Sequence, residues 1–101
     1  MSIAALVNNV LEAVPHYSDF MGIAELYESS RMLYSSNRDI AELIDIGVSR
    51  AGLPVQALII HGGEKRVLAF GFPHPNEPIG SLTLDFLSWY LVKNRDLLKK
   101  L

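Results

Sequence analysis

Apolar residues return every three or four positions through Ile3, Leu6, Val7, Val10, Leu11 and Val14, which is one face of an amphipathic helix. Ser2 suits its N-cap, because a serine hydroxyl accepts one of the backbone N–H groups that a first helical turn leaves unpaired, and Pro15 stops it. A second helix is predicted to open at Tyr17, Ser18 and Asp19. Ile23, Leu26, Tyr27, Leu33 and Tyr34 fall on one of its faces, Glu25, Glu28 and Arg31 separate them, and the helix frays near Ser35, Ser36 and Asn37.

The period then shortens to that of a strand. Ile44, Ile46 and Val48 alternate with Asp45 and Gly47, and Arg50-Ala51-Gly52-Leu53-Pro54 reads as a turn into a second strand, Val55 to Ile60. A third strand, Arg66 to Gly71, follows Gly62-Gly63-Glu64-Lys65, so strands two and three are predicted to form an antiparallel hairpin. Val67-Leu68-Ala69-Phe70 is apolar on both faces, as in a sheet covered on two sides. Beyond Pro78, which suits a first helical position, Leu84, Leu87, Tyr90, Leu91, Leu98 and Leu101 make a long apolar helical face with a turn near Asn94. The expected fold is a single α/β domain over residues 1–101, a mixed sheet with an antiparallel hairpin flanked by helices.

Charge removes several function classes. Nine basic against 11 acidic residues give a net charge of −2 and no basic stripe, so nothing recommends a nucleic acid or an anionic membrane as partner. The absence of cysteine excludes a disulfide scaffold, Cys-ligated zinc or iron–sulfur centres and a thiol nucleophile. Asn8, Asn9 and Glu12, with no basic stretch before them, make the N-terminus neither a signal peptide nor a membrane span, and a cytoplasmic protein is expected. A mean hydropathy of +0.21 is high for so short a chain. Much apolar surface must be hidden, inside the domain or against something outside this sequence.

One segment holds candidate chemistry, Gly71-Phe72-Pro73-His74-Pro75-Asn76-Glu77-Pro78-Ile79-Gly80. Imidazole and carboxylate are both zinc ligands, and His74 and Glu77 lie three positions apart just past an apolar strand, on a backbone stiffened by proline. The same prolines equally suit a plain strand-to-helix turn in which His74 and Asn76 bond loop backbone. The segment resembles the first zinc motif of the M14 zinc carboxypeptidase family, a strand, HxxE and a small residue opening a helix. Ile46-Gly47-Val48-Ser49, with Ala51-Gly52-Leu53-Pro54-Val55 and the strand Gln56 to Ile60, is similar to the strand pair ahead of that motif. Tyr17 and the helix after it fit the family's N-terminal segment.

The resemblance implies the N-terminal part of a zinc carboxypeptidase-like fold, with His74 and Glu77 as zinc ligands and Asn76 as a substrate-binding residue. Carboxypeptidase A-like members often carry arginine where Asn76 stands; asparagine is typical of the succinylglutamate desuccinylase and aspartoacylase branch, so the implied substrate is a peptide C-terminus or an N-acyl amino acid. Pro75 replaces the small residue usual after the first ligand. The family's third ligand, a histidine, and its general-base glutamate come after the point where this sequence ends, in an expected C-terminal half. The implied activity is that of a zinc-dependent hydrolase, in which zinc activates water and the glutamate moves the proton to the leaving amine. The alternative is a non-catalytic α/β interaction module, in which a homodimer or a partner subunit hides the apolar surface.

The other polar residues read plainly. In the predicted hairpin, His61 sits about five residues, roughly 16 Å, from His74 and does not replace the missing ligand. His16, between the first two helices, reads first as an exposed loop residue and second as a stand-in for the missing ligand, Glu64-Lys65-Arg66 reads as a hairpin tip, and Lys93, Arg95, Lys99 and Lys100 as cations suited to a helix C-terminus. Trp89 and Tyr90 read as core or interface, and Ser49 has no nucleophile-elbow pattern around it.

Overall fold

The computed structural model describes residues 2–71, 74 and 76–100, in the order α1 (Ile3–Ala13), α2 (Ile23–Ser36), β1 (Ala41–Val48), β2 (Pro54–Ile60), α3 (Ile79–Lys93) and α4 (Arg95–Lys99). Phe72, Pro73 and Pro75 of the proline-rich segment, and Leu101 of the C-terminal face, lie outside the described residues.

The helix ends follow local chemistry. The Ser2 hydroxyl accepts from the Ala5 N–H at 3.1 Å, and Val14 is already extended before Pro15. α2 begins at Ile23, later than the Tyr17–Asp19 start that the sequence suggests. The Asp19 carboxylate is engaged locally by the Phe20 N–H, and the helix is opened at Gly22, whose N–H donates to the Glu25 carboxylate at 3.2 Å. At the other end of the chain Asn94 breaks the long helical face into α3 and α4, where its side chain donates to the Tyr90 carbonyl.

β1 and β2 form the sheet, an antiparallel hairpin that runs from Ala41 opposite Ile60 to Val48 opposite Pro54, with a bulge at Ile46. Its turn is tied three times: Ser49 N–H to Leu53 O, Gly52 N–H to Ser49 O, and Leu53 N–H to the Ser49 hydroxyl. Gly52 takes φ +83°, a conformation open to glycine. Ala41, Leu43, Leu58 and Ile60 share the inner face by register, and Leu33 of α2, Val92 and Trp89 of α3 pack with Ala41, Leu58 and Ile60 into the core. Tyr27 fixes the far end of α2 to the hairpin by donating to the Pro54 carbonyl at 2.7 Å.

Two expectations about the sheet are corrected. Among the described residues it has two antiparallel strands rather than a mixed set, and the hairpin joins the first two strands instead of the second and third. Residues 61–71 form no strand. Two glycine contacts direct this segment away from β2. A Cβ on Gly62 would lie 2.3 Å from Leu98 Cγ, and one on Gly71 would lie 2.5 Å from the Ser81 nitrogen, so the backbone is pressed on α4 at one end and on the start of α3 at the other. Strand-forming residues need a partner strand, and in a single copy these are held where none is offered. Val67, Leu68 and Phe70 are therefore 85%, 89% and 76% exposed, instead of buried between two layers.

The outer face of the hairpin carries Ile44, Val55, Ala57 and Ile59, of which Ile44 and Val55 are exposed. α1 buries none of its residues, and Ile3, Val7 and Leu11 of its apolar stripe are exposed.

Candidate functional site

The HxxE segment closes as a turn. The Glu77 N–H donates to the His74 carbonyl at 3.1 Å, and the Pro78 carbonyl then accepts the first helical bond of α3, from Leu82. His74, Asn76 and Glu77 are all exposed at the entrance to that helix. The turn thus brings the two expected zinc ligands and the expected substrate residue into four consecutive positions on the surface.

A third donor does not join them. Among the described residues no three His, Asp or Glu side chains gather as a metal-holding group. His16 is exposed in the loop after α1. His61 lies at the end of β2, where its Nε2 is 2.5 Å from a carboxylate oxygen of Glu42 on β1, an ion pair whenever the imidazole is protonated. The two donors of the turn fall short of the three that a catalytic zinc usually takes. Ser49 is a turn residue: its hydroxyl and its backbone both serve the hairpin. Glu64, Lys65 and Arg66 are exposed, as expected of a solvated tip, although no hairpin carries them.

A second polar arrangement was not legible in the sequence. The Trp89 indole N–H donates to the Ser29 hydroxyl at 2.8 Å, and Ser29 donates in turn to Asp85 at 2.5 Å, which links α2 to α3. Beside it, Tyr17, Asp85, Phe86, Trp89 and Tyr90 line a groove of about 650 Å³. Burial and then the Asp85 carboxylate push the Tyr17 phenol above its usual range. Lys93 rests its ammonium 5.5 Å from the centre of the Trp89 ring. The sequence signal available was the pair of aromatics at 89 and 90, which reads as packing and gives no hint of Ser29, sixty positions away.

No family model, no curated protein and no solved structure matches the chain.

No helix among the described residues is long and apolar enough to cross a membrane.

Proposed function

We propose that this chain is an association module, a small α/β domain that works as a homo-oligomer by covering its apolar surfaces with a second copy. One quantity carries the reading. The chain exposes 7769 Å² to solvent, whereas a folded monomer of 11.2 kDa is expected to expose about 5,700 Å². The excess, on the order of 2,000 Å², exceeds the roughly 800 Å² that each partner buries in a stable protein–protein interface. The radius of gyration agrees, at 14.4 Å against about 13 Å for a compact domain of this length. Among the exposed side chains are large apolar ones on α1 (Ile3, Val7, Leu11), on the outer hairpin face (Ile44, Val55) and at Val67, Leu68 and Phe70, which are the kind that association covers.

The test is sedimentation of the full chain over a concentration series. A dimer or larger assembly that dissociates on dilution is the expected result. A single 11.2 kDa species at every concentration up to about 1 mM, where an association of about −4 kcal/mol would show, overturns the reading.

A second reading keeps the resemblance to the M14 carboxypeptidases. In it His74 and Glu77 are two of three zinc ligands of a hydrolase, Asn76 contacts a peptide C-terminus or an N-acyl amino acid, and residues outside this sequence complete the site. The observation that favours it is the backbone bond from the Glu77 N–H to the His74 carbonyl, which closes one turn between the two residues. Zinc titration by calorimetry tests it: saturable binding that is lost in both His74→Ala and Glu77→Ala supports the ligand pair, and heats indistinguishable from those of the two variants reject it.

A further inference from the structure

We infer that the segment from Arg66 to Phe70 is the third strand of this fold supplied in trans: each copy lays it antiparallel on the free edge of β1 in a second copy, with Arg66 facing Asp45. The inference rests on the association reading and specifies its interface.

Four observations converge on it. Val67, Leu68 and Phe70 are the most exposed apolar side chains of the segment, and no hydrogen bond joins the described residues 62–71 to any other part of the chain. Val-Leu-Ala-Phe is a strand sequence, and its backbone N–H and C=O groups are unpaired by protein. The hairpin offers the complementary feature. In a two-stranded sheet each strand keeps one unpaired edge, and residues 42–48 make no backbone bond except to β2. A sheet of two strands is marginal by itself, so a third strand is stabilising.

The glycine contacts explain why the third strand comes from elsewhere. Gly62 is seated on Leu98 and Gly71 on the backbone of Gly80 and Ser81. The segment is fixed at both ends away from its own sheet, and returning it to β2 would undo both contacts.

Charge and register choose the edge. β2 carries no charged residue, whereas β1 carries Glu42 and Asp45, and the segment is preceded by Lys65 and begins with Arg66. Glu42 is already paired with His61, which leaves Asp45, held only by Gln56 at 3.3 Å, as the free acid. With Arg66 opposite Asp45, an antiparallel strand places Leu68 beside Leu43 on the core side and Val67 beside Ile44 on the outer side, and the pairing ends before Ala41, whose N–H already donates to the Asn37 carbonyl. A slip of one residue would set Leu68 against Glu42 and Arg66 against Ile44. The exchange is isologous, because each copy gives one strand and receives one.

Sedimentation of charge-reversed full-length chains tests the pairing, together with hydrogen exchange of the unmodified protein. Arg66→Glu and Asp45→Arg should each weaken dimerisation at least tenfold, and the double variant should recover most of the affinity. In the unmodified chain the amides of 67–70 should be protected at high concentration and exchange freely on dilution below the dimer midpoint. A dimer that ignores both single variants, or whose 67–70 amides exchange freely while it is assembled, overturns the strand exchange and leaves association standing. Loss of the dimer in Arg66→Glu without rescue by Asp45→Arg overturns the β1 edge as the receptor. Protection of 67–70 at every concentration places the strand in its own chain and overturns the exchange. A chain that is monomeric throughout removes the association reading as well. Hydrogen exchange needs no variant, so a substitution that fails to fold does not blunt the test.

Discussion

The Trp89 indole on α3 and the Ser29 hydroxyl on α2 are joined at 2.8 Å, and the same hydroxyl donates onward to Asp85 one turn before the tryptophan. The serine uses both its acceptor and its donor, so one small side chain satisfies two larger polar groups between two helices. Ser29→Ala should leave the indole N–H and one Asp85 oxygen unpartnered in a half-buried site. The expected loss is about 1–3 kcal/mol, read by urea unfolding. The sequence holds one tryptophan, so its fluorescence reports on this junction directly.

Arg95 at the start of α4 clamps the turn between α2 and β1, donating to both carboxylate oxygens of Asp39 and to the Asn37 side chain. The hydrogen bond from Arg95 holds the Asp39 carboxyl below the usual carboxylate range. Because the folded carboxyl titrates below the unfolded one, its contribution is present above the ordinary carboxylate range and is lost as pH falls through the folded value. Asp39→Asn should therefore lower the urea midpoint slightly at neutral pH and match the parent chain at strongly acid pH. Both groups face solvent, so added salt should narrow the difference at neutral pH.

Gly71 and Gly52 should respond differently to alanine. At Gly71 a methyl group meets backbone atoms of Gly80 and Ser81 between 2.5 and 2.9 Å away, so the start of α3 must move. Gly71→Ala is expected to cost about 1–3 kcal/mol. At Gly52 the space is open, and the penalty is the left-handed φ of +83° alone, about 1 kcal/mol. Thermal unfolding of the two variants should rank them in that order.

Leu33 is fully buried where α2 meets Ala41 and Val92, the centre of a small core. Leu33→Ala should cost about 2–5 kcal/mol and leave the chain largely unfolded at moderate temperature, since a domain of this size has little stability in reserve. Ile3→Ala on the exposed stripe of α1 should change monomer stability by less than about 0.5 kcal/mol in the same assay.

Local features were legible residue by residue. Ser2 and Pro15 bound α1, Asn94 splits the last helix, and Ser49 to Pro54 turn one strand into the next, because caps, prolines and tight turns depend on neighbours a few positions away. The start of α2 was missed by several residues, since Asp19 is an attractive cap whose carboxylate finds its own neighbour's N–H first. The turn from His74 to Glu77 was legible because three positions make a turn by themselves. The junction of Ser29, Asp85 and Trp89 was not, because it joins helices that the sequence does not place against each other.

By itself the sequence determined where helices stop, where β1 turns into β2 and which positions are apolar, since these follow from the conformational limits of single residues and short-range hydrogen bonds; it also suggested a hairpin turn at residues 62–65 that does not form. Only the tertiary structure decided what became of segment 66–70. Its strand pattern is real, but a strand is completed by a neighbour, and the seating of Gly62 on Leu98 and Gly71 on Ser81 takes this one away from its own sheet. The high mean hydropathy calls for cover over apolar surface, and with Gly62 and Gly71 seated as they are Val67, Leu68 and Phe70 stay exposed in the single chain, which is the surface that the proposed association would cover.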